Sequence, residues 1–336
     1  MMERVMFLST IMIIIQIFGN YHNYEINDMG IVMDPEKAII IENLTKLYGE
    51  HIGVKNLNLS VDKSEIMGFL GPNGSGKTTT IRSSLALISK TAGKITIFGL
   101  DSHKDAVAIR KKTGYLPGDF GLIPSVKVKS YLKYLLSLSN YPSTKKMTSL
   151  AERLELELDR KTNELSKGNK QKVGIIQALM VDQDLIIMDE PTSGLDPLMQ
   201  QEFYRVLREE QKQGKTIFMA SHNLAEVEKV CDRVAIIRRG RLEVVEKIQA
   251  LQEKTGKVLE VEFSDPVSVD EFQIKGVSEI QVDNGKLTLT IHENLDGVIE
   301  AVSRHQILNM NLRTYSLEQL FLKYYTEENR ERGDAR

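Results

Sequence analysis

Ten residues, GPNGSGKTTT at Gly71 to Thr80, have the composition and spacing to grip a polyphosphate. Gly71, Gly76, Lys77 and Thr78 fit the pattern in which glycine-rich backbone turns its N–H groups onto phosphate oxygens without side-chain obstruction. Pro72, Asn73, Gly74 and Ser75 complete the loop and Thr79 follows it. In such a loop the lysine reaches the β- and γ-phosphates, the Thr78 hydroxyl ligates Mg²⁺, and the helix that opens there points its positive end at the anion. A second group stands further along, where the apolar run Leu185 to Met188 leads into Asp189 and Glu190. Asp189 is expected to hold Mg²⁺, directly or through water, and Glu190 to accept a proton from an attacking water or to orient it. Either feature alone has a plain structural reading, a glycine-rich turn or a strand ending in solvated acids. Together they predict a site for ATP and Mg²⁺.

Both motifs require strands that end side by side. From Ala38 the chain alternates short runs rich in Ile, Val and Leu with longer amphipathic stretches, the pattern of an α/β domain. Candidate strands are Ala38 to Ile41, Leu57 to Val61, Ile66 to Leu70, Lys94 to Phe98, Leu185 to Met188, Thr216 to Ala220 and Val234 to Ile237. The uninterrupted run at Leu185 suits a central parallel strand covered on both faces, with the nucleotide at its carboxyl end. Between about Gly114 and Lys172 the strand signal fades and helical spacing takes over, as at Tyr131, Leu132, Leu135 and Leu136. After about Ala250 alternation returns, with Leu259, Val261 and Phe263 against Glu260 and Glu262, then Leu287, Leu289 and Ile291. Asn284-Gly285 is a hairpin signal, since both tolerate positive φ, and Ser316 with Gln319 forms a capping box for a last helix.

The whole chain has 336 residues, with 44 Lys and Arg against 46 Asp and Glu. That near balance offers no bulk electrostatic reason to bind nucleic acid, and none is expected. A single cysteine, Cys231, precludes an internal disulfide and fits a reducing compartment, with the cytoplasm as the expected location. The apolar run Val5 to Phe18 spans only about 14 residues, short of the roughly 20 that cross a bilayer. It reads either as a peripheral anchor or as an extension upstream of a start at Met33, so residues 1–35 are set apart from the organised pattern.

ELSKGNKQK at Glu164 to Lys172 narrows the reading. LSKGN, at Leu165 to Asn169, resembles the LSGGQ signature of ATP-binding cassette (ABC) proteins. The resemblance runs from Ala38 to about Ala250 in the family's motif order. SGLD at Ser193 to Asp196 is similar to the loop after the paired carboxylates, and Asp196-Pro197 also reads as a helix cap and first turn. His222 matches the family's switch histidine, which implies contact with the γ-phosphate and Glu190, and Tyr48 matches its adenine-stacking aromatic. One position departs: GYLPGDFGLIP carries Gly118 where the family usually has a glutamine that touches Mg²⁺ and water, with Asp119 as a possible substitute.

The resemblance implies an α/β fold, a P-loop NTPase core over 36–250 with a helical subdomain at about 115–172, followed by a small α+β C-terminal domain over 251–336. It implies a hydrolase with Lys77, Glu190 and His222 in catalysis and Thr78 and Asp189 at the metal. It also implies that Ser166, Lys167, Gly168, Asn169 and Asp196 serve a nucleotide held by a second cassette, so that two copies stack head to tail. The expected partner is a separate integral membrane permease, with this chain on the inner face of the membrane as the motor of an exporter of the antibiotic or multidrug class. The competing readings are a soluble ABC-type ATPase and a nucleotide-dependent regulator with little hydrolysis.

Overall fold

A computed structural model of the protein describes residues 37–139, 143–283 and 285–314. The N-terminal segment 1–35, Asn284 and the capping box of Ser316 and Gln319 lie outside the described residues. Fourteen strands follow in order among those described: β1 (Lys37–Tyr48), β2 (His51–Asp62), β3 (Ile66–Leu70), β4 (Ala92–Ile97), β5 (Leu100–Asp101), β6 (Thr113–Leu116) and β7 (Leu185–Asp189) come first. β8 (Thr216–Ser221), β9 (Arg233–Arg238), β10 (Arg241–Lys247), β11 (Lys257–Phe263), β12 (Val277–Asp283), β13 (Lys286–Ile291) and β14 (Ile307–Thr314) complete them.

The central sheet has the order β10-β9-β3-β8-β7-β6, parallel except where β10 returns antiparallel to β9. Its strands are covered on both faces, which is why they are apolar without alternation. Successive side chains of a strand point to opposite faces, and the two faces feed two different cores. Leu185 and Ile187 of β7, Phe218 of β8 and Met67 and Phe69 of β3 pack with a second sheet, β2-β1-β4-β5. Ile186, Met188, Ile217 and Met219 point the other way, into a core built with the helices Val128–Ser137, Lys145–Arg153, Lys167–Leu179 and Pro197–Lys212. The sheet is thereby clamped between a β layer and a helical layer, and its carboxyl edge is left free for the loops that carry chemistry.

Four elements differ from the sequence reading in ways that matter here. β1 and β2 extend well beyond Ala38 to Ile41 and Leu57 to Val61, but with several register shifts between them. Each bulge resets the alternation that would have announced the longer strand. β6 lies inside the stretch read as free of strands: TGYL pairs in parallel with β7 at the sheet edge. A glycine and only four residues make a weak strand signal, and the pairing with β7 supplies what propensity does not. β10 also went unread, because its burial pattern never becomes fully internal and its residues are half charged.

Strands β11 to β14 form a separate antiparallel sheet, β12-β13-β11-β14, with its own apolar cluster of Leu259, Val261, Phe263, Leu287, Leu289 and Ile291 under the helix Leu295–Val302. Asp283 pairs with Lys286 across a two-residue turn in which Gly285 has φ 78°, the positive value such a hairpin needs.

Candidate active site

β3 is buried along its whole length, and the chain leaves the sheet at Gly71. The Gly71 amide donates to the Ser221 carbonyl at the end of β8 (3.1 Å), tying the loop to the neighbouring strand. A Cβ at Gly71 would lie 2.3 Å from the Ile237 carbonyl oxygen, so only glycine allows this approach. Gly76 turns with φ 110°, and the helix Lys77–Ser84 begins immediately after it. The amides of Lys77, Thr78 and Thr79 open that helix and have no carbonyl four residues back to bond, so they are donors available to an anion. Lys77 is buried, with Nζ donating to the carbonyls of Gly71 (2.6 Å) and Pro72 (3.2 Å). Ser75 Oγ is buried in the same loop without a hydrogen-bond partner.

β7 delivers the carboxylates next to this loop. Thr78 Oγ1 donates to Asp189 Oδ2 at 2.6 Å, while Asp189 Oδ1 is buried and makes no hydrogen bond. Burial pushes the Asp189 carboxyl above its ordinary range and the neighbouring Glu190 adds to this, against the Thr78 hydroxyl and Lys77, which favour the charge. Glu190 adopts φ 51°, a left-handed conformation that costs a non-glycine residue about 1 kcal/mol or more. Its amide is held by the Ala220 carbonyl (2.9 Å), and the turn re-aims its side chain away from the strand direction. One carboxylate oxygen stands 3.3 Å from Lys77 Nζ and the other 2.6 Å from His222 Nδ1. Lys77, at the start of the helix after β3, Glu190, after β7, and His222, after β8, thus form a continuous row of contacts with His222 exposed at its outer end.

Gly118 lies against Asp189. A Cβ there would come 3.2 Å from Asp189 Oδ2, so the backbone itself packs on the carboxylate where the family usually places a glutamine. Asp119 is exposed beside it. Tyr48, at the end of β1, is also exposed, with Lys46 Nζ 4.9 Å from the ring centroid.

The signature stretch caps a different helix. Ser166 Oγ accepts from the Asn169 amide (3.2 Å) at the start of Lys167–Leu179. Capping uses a lone pair and leaves the hydroxyl proton free to donate. A Cβ at Gly168 would lie 2.4 Å from the Gly194 carbonyl, so this glycine has a reason within its own chain as well. Among the described residues no hydrogen bond or ion pair joins Ser166, Lys167, Gly168 or Asn169 to the phosphate loop. Asp196 Oδ1 accepts from the amides of Leu198 (3.1 Å) and Met199 (3.0 Å) and caps the helix Pro197–Lys212, and those two bonds hold its carboxyl below the usual range.

One residue of this region was not read from the sequence. Gln171, buried in the signature helix, donates through Nε2 to the carbonyls of Glu190 (3.2 Å) and Pro191 (2.9 Å). It joins the signature helix to the backbone of the carboxylate turn. Its partners are main-chain atoms some twenty positions away, and nothing in a local pattern announces them.

The arrangement offers donors suited to a polyphosphate, with a carboxylate and an imidazole beside them. The ABC transporter family model matches residues 54–193. YhaQ of Bacillus subtilis, an ABC transporter ATP-binding protein, is 34% identical over 224 residues, covering 65% of this chain and 74% of that one. The bacitracin transport ATP-binding protein BcrA of Bacillus licheniformis is 37% identical over 229 residues, covering 66% and 74%. Among solved structures, the dimeric structure of a bacterial ABC transporter cassette superposes with a TM-score of 0.58 at 27% identity, covering 62% of this chain and 98% of that one. The same cassette is known in a post-hydrolysis state bound to ADP and Pi, with a TM-score of 0.58 at 26% identity over 62% of this chain and 98% of that one. With its phosphate loop, paired carboxylates and signature on a P-loop NTPase fold, the chain belongs to the ABC transporter ATP-binding proteins, the ATP-hydrolysing subunits of those transporters.

Proposed function

We propose that this chain powers export of a substrate through a separate membrane permease, with Lys77, Glu190 and His222 as the working row of its ATPase site. The observation that carries the reading is the contact of Glu190 with both Lys77 and His222 at the edge of the phosphate loop. Lys77 neutralises the β- and γ-phosphates, and the amides of Lys77, Thr78 and Thr79 that open the helix donate to them. Glu190 takes a proton from, or orients, the attacking water, and His222 holds that carboxylate while facing the γ-phosphate. Thr78 and Asp189 would hold Mg²⁺, which fits the unpaired buried Asp189 Oδ1 beside the Thr78 hydroxyl. When bound, the metal would supply positive charge to offset that of the phosphates. Tyr48 stacks on the adenine.

The Ser166 hydroxyl proton and the amides of the signature helix, which make no hydrogen bond to the phosphate loop among the described residues, support a site completed by a second copy. Ser166, Lys167, Gly168, Asn169 and Asp196 then serve the partner's nucleotide across a head-to-tail homodimer. Hydrolysis opens that dimer and the motion passes to the permease. Export rather than import rests on the LSKGN form of the signature.

The permease has a fitting surface. A groove of about 560 Å³ runs between the end of the helix Lys77–Ser84, the helix Ala106–Lys111 and the helix Val128–Ser137. Leu87, Val107 and Leu138 are exposed along it, and Arg110 and Lys111 stand at its rim. No helix among the described residues is long and apolar enough to cross a membrane. Docking there would hold the chain to the cytoplasmic face. Chain purified from detergent-solubilised membranes is expected to bring down an integral membrane protein. The double variant Val107→Asp, Leu138→Asp is expected to lose it at unchanged melting temperature. Recovery of ribosomes in its place, or full retention of the membrane protein by the double variant, would overturn this reading.

A further inference from the structure

One acidic group near the site has no part in the mechanism above. Glu226, in the helix Leu224–Val230, is 2% exposed and lies beneath the turn that carries His222. Ser221 Oγ donates to Glu226 Oε2 at 2.6 Å. The same Ser221 hydroxyl accepts from the Asn223 amide (2.9 Å), and the Ser221 carbonyl accepts from the Gly71 amide (3.1 Å). Ser221 is therefore the joint between the phosphate loop and the His222 turn, and Glu226 holds it from below. The second Glu226 oxygen, Oε1, is buried and makes no hydrogen bond, although the Thr192 hydroxyl, in the loop leading from Glu190 to Asp196, lies close enough to favour the charged form.

We infer that Glu226 is a positioning residue for ATP hydrolysis, a buried carboxyl group that fixes the His222 turn through Ser221 and adjusts the charge near the Glu190 and His222 pair. The inference rests on the roles proposed above for those two residues. It follows from three placements. A buried, singly bonded carboxyl group is expensive unless its state is tuned to its surroundings. The groups around it are those of the site and its walls: Glu190 and His222 at the strand ends, Tyr204 from the helix Pro197–Lys212, and Cys231 at the end of its own helix. No lysine or arginine is paired with it among the described residues.

Burial pushes the Glu226 carboxyl up to about 7, against the Ser221 and Thr192 hydroxyls, with Glu190 adding to the rise and His222 opposing it. Neutral below that value, the group gains a proton-free state above it. A second negative charge then stands near Glu190. That charge opposes binding of the transition state, so turnover falls as pH rises through about 7.

The test uses the full chain in steady-state ATP turnover from pH 5.5 to 8.5, beside thermal melting. Glu226→Gln keeps the shape and cannot ionise, and its kcat profile is expected to lose the fall near neutral pH. Glu226→Ala removes the support of Ser221 and is expected to lower kcat by about 10-fold or more with KM for ATP unchanged, as misplacement of a working group does. A wild-type profile in Glu226→Gln would overturn the inference. So would a folded Glu226→Ala whose loss is confined to melting temperature, with kcat and KM as in the wild type. Should Glu226→Ala not fold, the profile of Glu226→Gln decides. Glu190→Gln run alongside separates the two readings: if it stays active the roles proposed for the row fail, and if it is inactive while Glu226→Gln titrates as wild type, only the inference about Glu226 fails.

Discussion

Replacing Glu190 by Gln is expected to lower ATP turnover by about 10²–10⁴-fold while ATP still binds. The amide matches the carboxylate in shape, so the left-handed turn at φ 51° and the Ala220 contact through the main chain persist. What disappears is the charge between Lys77 Nζ at 3.3 Å and His222 Nδ1 at 2.6 Å, and with it the base. Lys77, no longer shared with a carboxylate, keeps its loop carbonyls and turns its remaining charge to the phosphates, so ATP affinity holds or rises. Single-turnover hydrolysis and fluorescent-nucleotide binding on the same preparation separate the two effects. A variant that turned over ATP at the wild-type rate would remove Glu190 from the mechanism.

Lys77→Ala acts on the other half of the same contact, and its effect falls on binding. Removing the buried ammonium takes away charge-assisted hydrogen bonds worth about 1.5–3 kcal/mol to a charged ligand, or about 10–100-fold in affinity. It also leaves Glu190 without its cationic neighbour, so that a nearby carboxylate now faces the incoming polyphosphate unopposed. Both effects weaken ATP binding, where Glu190→Gln spares it. Titration calorimetry with ATP should therefore separate the two variants, and equal affinity in both would contradict the division of labour between Lys77 and Glu190.

Much of this site can be read from the chain because its chemistry is local. The turn at Gly71 to Gly76 and the acids after Leu185 to Met188 are each written in consecutive residues. The buried strands that carry them are apolar without alternation for the same reason that they are central. The elements that escaped are those whose form depends on a neighbour. β6 is four residues that become a strand by pairing with β7, and β1 continues to Tyr48 only through bulges against β2. Gln171 and Glu226 escaped for a related reason. Each is an ordinary polar residue on a helix until the fold brings it to the Glu190 and Pro191 carbonyls or to the Ser221 hydroxyl. Gly118 was legible as a departure, whereas its packing on Asp189 was not. The double role of Gly168 also came only with the structure, since the Gly194 carbonyl that excludes a side chain there lies in another loop.

The central claim is that each phosphate loop hydrolyses ATP only with the signature of a second copy. It is tested by mixing two inactive chains, one carrying Lys77→Ala and the other Ser166→Arg, which blocks the exposed helix start without touching the phosphate loop of its own chain. Each variant alone lacks any complete site. A mixed dimer joins the intact loop of one chain to the intact signature of the other, so equal mixing should restore turnover to as much as about a quarter of the wild-type value, set by half the dimers being mixed and each holding one of two sites. Turnover that stays at the level of the separate variants, or a Ser166→Arg chain that is fully active by itself, would contradict the shared site.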